Sequence, residues 1–322
     1  MKTILKFDPH GLLLTLLLLS SPAAADVVQT PLPADVIMNQ GAGGGSLLIV
    51  KLRLEDGGDL PMILDTGAPV TLLDKSLESK LGTRLGTTTV HSFVTKQAAG
   101  VYPAPRLYLG GVPLLAGSNV LVCQLKTLSP HFPAVLGILG MDCLRHYCLQ
   151  LDFAAGKIRF LDAEHLNPAG LGKGFPLAFS KDADNQGVEI RPVIQHVGLL
   201  GGAAGNLIID TGNNQDGMVA GRAIRQHAAG SYSGGCLKRV KHFLAVEGMV
   251  DRAVALPGCV WDGNTYTNIA VSRGPGEAPN WIGLRFLARH LVTLDFPNRM
   301  LYLKQTGTAP LSMEPEHRPP SH

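Results

Sequence analysis

Charge is scarce in this sequence. Of its 322 residues only 16% are Asp, Glu, Lys or Arg, against roughly 25% in an average soluble domain, which argues against a disordered acidic chain or a charge-laced helical bundle. The net charge is +3 and no basic cluster concentrates it, so no electrostatic footprint for nucleic acid is present and none is expected as a partner. Long apolar runs are missing as well. The stretch Leu12 to Leu19, broken at Thr15, falls well short of the roughly 20 residues that cross a bilayer. Two hydrolase classes lack their motifs: there is no Gly-x-Ser-x-Gly for a Ser-His-Asp enzyme, and the 11 histidines contain no His-Glu-x-x-His. With no zinc-ligand spacing among the five cysteines either, no metal is expected.

What the sequence has in quantity is glycine and proline, 38 and 22 residues, which asks for many turns and favours strands over long helices. Lys2 and Lys6, the short apolar run and Ala23-Ala24-Ala25 read as a secretory signal peptide over residues 1–25. The mature chain then starts at Asp26, is exported to the periplasm or secreted, and has no membrane span once the signal is removed. Disulfides become possible there, and Cys236 with Cys259 is the easiest pairing; the equal alternative is that the cysteines are small buried apolar residues.

An internal repeat organises the remainder. Pro61-Met62-Ile63-Leu64-Asp65-Thr66-Gly67 is matched by Asn206-Leu207-Ile208-Ile209-Asp210-Thr211-Gly212. Downstream, Ile138-Leu139-Gly140, Leu144 and Leu151-Asp152-Phe153 are matched by Trp281-Ile282-Gly283, Leu287 and Leu294-Asp295-Phe296. Asp65 to Gly140 spans 75 residues and Asp210 to Gly283 spans 73, while each glycine lies 11 residues before its Leu-Asp-Phe. Two copies of one unit, each long enough to be a lobe, account for this.

Alternating apolar patterns predict strands at Ser46–Leu54, Val120–Leu125, Val135–Leu139 and Leu207–Ile209, within Lys238–Val260, and in a hairpin of Val90–Thr95 and Val101–Leu109 turning near Gly100. Short helices are expected at Leu73–Leu81, closing on Gly82, at Met141–Tyr147, at Ala220–His227 and at Leu284–His290. The expected organisation is a flexible lead-in over 26–45, a first β lobe over 46–162, a linker over 163–174, a second β lobe over 175–304 and a disordered tail over 305–322. The fold class is all-β.

Asp65 and Asp210 carry the chemistry. Each ends an apolar strand, where an isolated charge costs several kcal/mol. Brought face to face by the repeat, the two can share one proton and hold a water, a general base and a general acid in one site. Gly67 and Gly212 let the loops turn, and Thr66 and Thr211 can hydrogen-bond across the two-fold axis. Asp74 and Asp216 read as solvated or capping residues.

On these residues the chain resembles the pepsin- and retropepsin-related aspartic proteases, in the bacterial exported form that carries two retropepsin-like units in one chain. The match rests on Asp65-Thr66-Gly67-Ala68, Ile138-Leu139-Gly140-Met141-Asp142 with Leu144, Asp210-Thr211-Gly212, and Trp281-Ile282-Gly283 with Leu287. The resemblance implies a bilobal fold, with two pseudo-two-fold-related β lobes each bearing a short helix after the glycine of its ψ strand. It implies that Leu139, Gly140, Ile282 and Gly283 support the catalytic loops, and that a flap lies over Thr89–Pro105 with Tyr102 beside the carboxylates. The implied activity is an aspartic endopeptidase using an Asp65/Asp210 dyad on a peptide or protein, without cofactor, as a monomer because one chain holds both carboxylates. A non-catalytic extracytoplasmic peptide-binding or scaffold module is the alternative. Pro69, Asn213 and Asn214 depart from the family pattern, and the hydroxyl many pepsins place beside each carboxylate is missing, so the family's proton-sharing range does not carry over.

Overall fold

The computed structural model describes residues 32–33, 35–91, 96–128, 134–181, 189–197, 205–220, 238–239, 253–274 and 280–311. All of them fall within one compact unit, Pro31–His322. As expected the class is β: among the described residues the α-helices are the single turns Leu125–Leu128, Met141–Leu144 and Leu284–Leu287. No helix there is long and apolar enough to cross a membrane.

The strands form two sheets, and the repeat sets their order. Strand Asp59–Leu64 pairs antiparallel with Ile49–Leu54 and parallel with Gly137–Leu139, which turns back against Leu72–Asp74. Strand Gly205–Asp210 pairs antiparallel with Glu189–Val197 and parallel with Asn280–Gly283, which turns back against Gly217–Ala220. Each Asp-Thr-Gly strand is thus flanked by equivalent partners. Parallel strands covered on both faces need near-continuous apolar sequence, and Met62, Ile63, Leu64, Leu207 and Ile209 are almost wholly buried.

The halves meet where Cys148–Asp152 pairs antiparallel with His290–Asp295. The repeat carries Cys148 onto Leu291 and Asp152 onto Asp295, so the pairs Cys148↔Asp295 and Asp152↔Leu291 exchange with each other. A local two-fold axis therefore passes between Gln150 and Thr293, whose side chains hydrogen-bond at 3.1 Å.

Several local expectations change. Leu73 belongs to a strand paired with Gly137 and Val122, and only Lys75–Lys80 is helical, as a 3-10 helix capped by Asp74. Tertiary pairing outweighed the leucine spacing. Gly100 is not a turn: it lies opposite Thr87 in the pairing of Gly86–His91 with Lys96–Pro103, and a Cβ there would stand 2.6 Å from the Tyr102 ring. Its role is close packing, and the hairpin closes over residues 92–95, outside the described residues.

Residues 36–45, read as a flexible lead-in, are held in place. Val36–Ile37 pairs with Lys157 and Ile158, and Asn39 brackets the next strand by accepting from Ile49 N at 2.8 Å and donating to Leu47 O at 2.9 Å. Gly43, at φ +75°, leaves no room for a Cβ beside Ala288. In the stretch read as a linker, Lys173 and Gly174 already belong to strand Lys173–Lys181. At the C-terminus, Gly307 N donates to Arg289 O and Thr308 O accepts from Thr267 N, so the described end of the tail is bonded to the body. The signal segment 1–25, the helix expected at 221–227, Cys236 with the Cys259 side chain, and residues 312–322 lie outside the described residues. Cys123, Cys143 and Cys148 are free and buried.

One buried group links this fold to pH. His290 is buried, its Nε2 facing the Tyr266 hydroxyl at 2.8 Å and its Nδ1 facing Phe286 O at 3.2 Å. Both contacts suit the neutral ring, with Nδ1 donating and Nε2 accepting. Burial pushes its pKa from 6.5 down to about 4. A histidine with depressed folded pKa gives full stability above its unfolded value and loses it as acid protonates the unfolded chain first. We expect a loss of up to about 3 kcal/mol between pH 6.5 and 4, at roughly 1.4 kcal/mol per pKa unit, visible as a falling thermal midpoint. His290→Gln should flatten that part of the curve.

Candidate functional site

Both Asp-Thr-Gly loops leave their strands at the same level of the molecule. Asp65 follows Leu64 and its N–H donates to Leu139 O at 3.1 Å; Asp210 is the last residue of its strand, in register with Gly283. The threonines interlock the loops. Thr66 Oγ1 donates to Ile209 O at 2.6 Å and accepts from Thr211 N at 3.1 Å, while Thr211 Oγ1 donates to Leu64 O at 2.7 Å and accepts from Thr66 N at 3.0 Å. All four groups are buried, so each hydroxyl satisfies two backbone groups of the opposite half that water cannot reach. Thr211→Val keeps the shape and strands both. Urea unfolding should show a loss of about 2–4 kcal/mol, since each orphaned buried group costs about 1–3 kcal/mol; the double variant with Thr66→Val should lose less than the sum, because the two share one network.

The interlock brings the carboxyl groups together: each lies against the glycine of the opposite loop, and the Asp65 charge acts on Asp210. Gly67 and Gly212 are required by this closeness. A Cβ on Gly67 would lie 2.5 Å from Asp210 Oδ1, and one on Gly212 would lie 2.3 Å from the Asp65 carboxyl carbon. Neither glycine has a left-handed φ, so space rather than turning is what excludes a side chain.

Around the pair the halves differ. Asp65 Oδ1 accepts from Gly67 N at 2.7 Å and Ala68 N at 3.1 Å, whereas Asp210 Oδ1 accepts from Gly212 N alone, at 2.9 Å. Burial raises the pKa of both. Asp210 stands well above the ordinary carboxylate range, through burial first and then the neighbouring charge of Asp65.

Gly140 and Gly283 let the crossing strands pass: a Cβ on Gly140 would meet Val70 backbone at 2.6 Å, and one on Gly283 would meet Gln215 O at 2.2 Å. Met141 N then donates to Ala68 O at 2.8 Å and Leu284 N to Asn213 O at 2.7 Å, tying each short helix to its loop. Leu139 and Ile282 lie buried beside Leu64 and Ile209. Tyr102 is engaged elsewhere. Its ring is buried in the main core and its hydroxyl donates to Glu78 Oε1 at 2.5 Å, so that hydroxyl does not serve the carboxyl pair.

Two features escaped the sequence. Asp216 is neither solvated nor a cap: it is buried, accepting from Ala270 N at 2.7 Å, Arg289 Nη2 at 2.7 Å and Arg285 Nη1 at 3.3 Å. The repeat held a signal, for Thr71 and Asp216 each stand six residues past their aspartate and Asp142 and Arg285 each two past their glycine. In the first half Thr71 donates to Asp142; in the second the carboxylate sits on the loop instead. The other feature is Arg191, whose Nε donates to Gly67 O at 2.8 Å. Only register could have placed it: Val193↔Ile208 continued by two residues brings Arg191 level with Asp210.

No group of three His, Cys, Asp or Glu side chains that could hold a metal occurs among the described residues. Comparison with protein-family models and with curated protein sequences finds no match for this chain.

Proposed function

We propose that this protein is an aspartic endopeptidase of the bilobal type, hydrolysing peptide bonds with a water held between Asp65 and Asp210. The observation that carries the reading is the close approach of two carboxyl groups on equivalent loops, each set against the glycine of the other loop, with the pKa of both raised. Two like charges at that distance cannot both persist in a low-dielectric site, so one proton is shared.

The unequal amide donors divide the labour. Asp65, with two N–H donors, is the better home for the negative charge and acts as general base, taking a proton from water as its oxygen attacks the peptide carbonyl. Asp210 keeps the proton and delivers it to the carbonyl oxygen as the tetrahedral intermediate forms. Collapse of that intermediate breaks the C–N bond, with the proton gained by Asp65 passing to the leaving amine and one diol hydroxyl returning its proton to Asp210. One chain supplies both groups, which supports a monomer as the active form, and the signal-like pattern in residues 1–25 supports export.

Digestion of a peptide library by the purified protein tests the reading. The expected result is internal cleavage that pepstatin inhibits and Asp210→Asn abolishes. Peptide binding without cleavage would leave a non-catalytic binding module in its place.

A further inference from the structure

Arg191 breaks the symmetry of the site. It lies on strand Glu189–Val197, level with Asp210, and its counterpart beside Asp65 is found by continuing Ile49↔Ile63 two residues, which gives Leu47. Leu47 packs on the apolar cluster of its own half. The same place in the second half holds a cation.

Its surroundings define what that cation can do. Along a strand, alternate residues share a face, so Arg191 and Val193, like Ile208 and Asp210, face the same side. Val193, Ile208, Met218 and Trp281 form a small buried apolar cluster, and the guanidinium lies 5.8 Å from the Trp281 ring centre. A short apolar floor therefore ends in a positive charge next to the reacting carboxyls. Among the described residues the Arg191 side chain makes one hydrogen bond, from Nε to Gly67 O. Its two amino groups form a fork suited to a carboxylate, and its charge reaches both Asp65 and Asp210.

We propose that Arg191 makes the Asp210 side of the site selective for a substrate carboxylate next to the scissile bond. That carboxylate is an Asp or Glu side chain of the peptide. The proposal rests on the endopeptidase reading and names its substrate class. A residue that only braced Gly67 would not discriminate between substrates by charge.

The test compares kcat/KM for peptides differing only as Glu or Gln at each position flanking the cleaved bond, each made with a free and an amidated C-terminus. At a pH that ionises the substrate glutamate, the wild-type chain should favour Glu on one flank by about ten- to a hundredfold, the range of a charge-assisted pair, and less so as salt rises. Preference kept in amidated peptides supports the side chain; faster cleavage that depends on a free C-terminus and not on Glu against Gln overturns the proposal. Arg191→Gln should bring the ratio near one, Arg191→Lys should retain part of it, and Arg191→Glu should reverse it toward Lys peptides. A wild-type ratio near one on both flanks and at both ends overturns the proposal even if Arg191→Gln fails to fold, and so does a ratio that survives Arg191→Gln. In both cases the endopeptidase reading stands. If the wild-type chain cleaves none of the peptides, both fall.

Discussion

Asp210→Asn should cleave peptides at least about a thousandfold more slowly than the wild-type chain, and Asp65→Asn likewise, because general acid and general base each contribute about 10² to 10⁴ on one water. Asparagine keeps the size of the side chain and can accept the amide hydrogen bonds of its loop, so the fold is retained while the shared proton is lost. Stability should change in the opposite sense. Asp210 holds its proton in the native state at pH values where an unfolded aspartate, with pKa 3.8, has released it. A raised folded pKa means that stability is complete in acid and declines as pH climbs from the unfolded value through the folded one. Asp210→Asn has no such proton to lose, so its thermal midpoint should gain on the wild type steadily as pH rises. Wild-type cleavage by either variant would exclude the two-aspartate mechanism; a midpoint difference independent of pH would exclude the buried, protonated Asp210.

The second large effect belongs to Asp216. Arg289 is fully buried and donates to Thr267 O, Thr308 O, Asn268 O and the Asp216 carboxylate, which also receives Arg285. Asp216→Ala leaves buried guanidinium charge without its counter-ion, a change that costs about 3–5 kcal/mol. Asp56→Ala is the control. It removes an ion pair of similar length, 2.8 Å to Lys80, between side chains about half exposed, and should cost under about 1 kcal/mol because water replaces it. Urea midpoints of the two variants measure the contrast. Equal midpoints would mean that Asp216 is not buried with its arginines as described. Because Asp216 O also accepts from Gly283 N, cleavage by the Ala variant should fall with its stability, not beyond it.

The β class and the meeting of Asp65, Asp210 and the two threonines were legible because they follow from covalent order. Two copies of a strand, a tight loop and a crossing strand at nearly equal spacing leave few ways to pair. What escaped depends on contacts distant in sequence. Leu73 and Leu77 have helical spacing, yet Leu73 pairs with Gly137 and Val122, an energy no local pattern contains. Gly100 carried a turn signal, although its lack of a side chain serves the Tyr102 ring across the same strand. Asp216 looked like any polar residue after a loop until Arg289, 73 positions away, was folded against it. Arg191 sits in Glu-Ile-Arg-Pro, which says nothing of the loop it braces 124 positions earlier.

The unequal amide donors at the two carboxyls, two at Asp65 and one at Asp210, have a directional consequence. A centre built from identical halves reads the same from either end, so an extended chain laid across it could run N to C or C to N with equal energy. Here the ends are unlike, and reversing the strand exchanges the donor-rich side for the donor-poor one. With both units in one polypeptide, a residue in one can differ without its counterpart in the other differing. The site therefore has a polarity: whatever lies across the carboxyls has a forward and a backward orientation, and the two differ in energy.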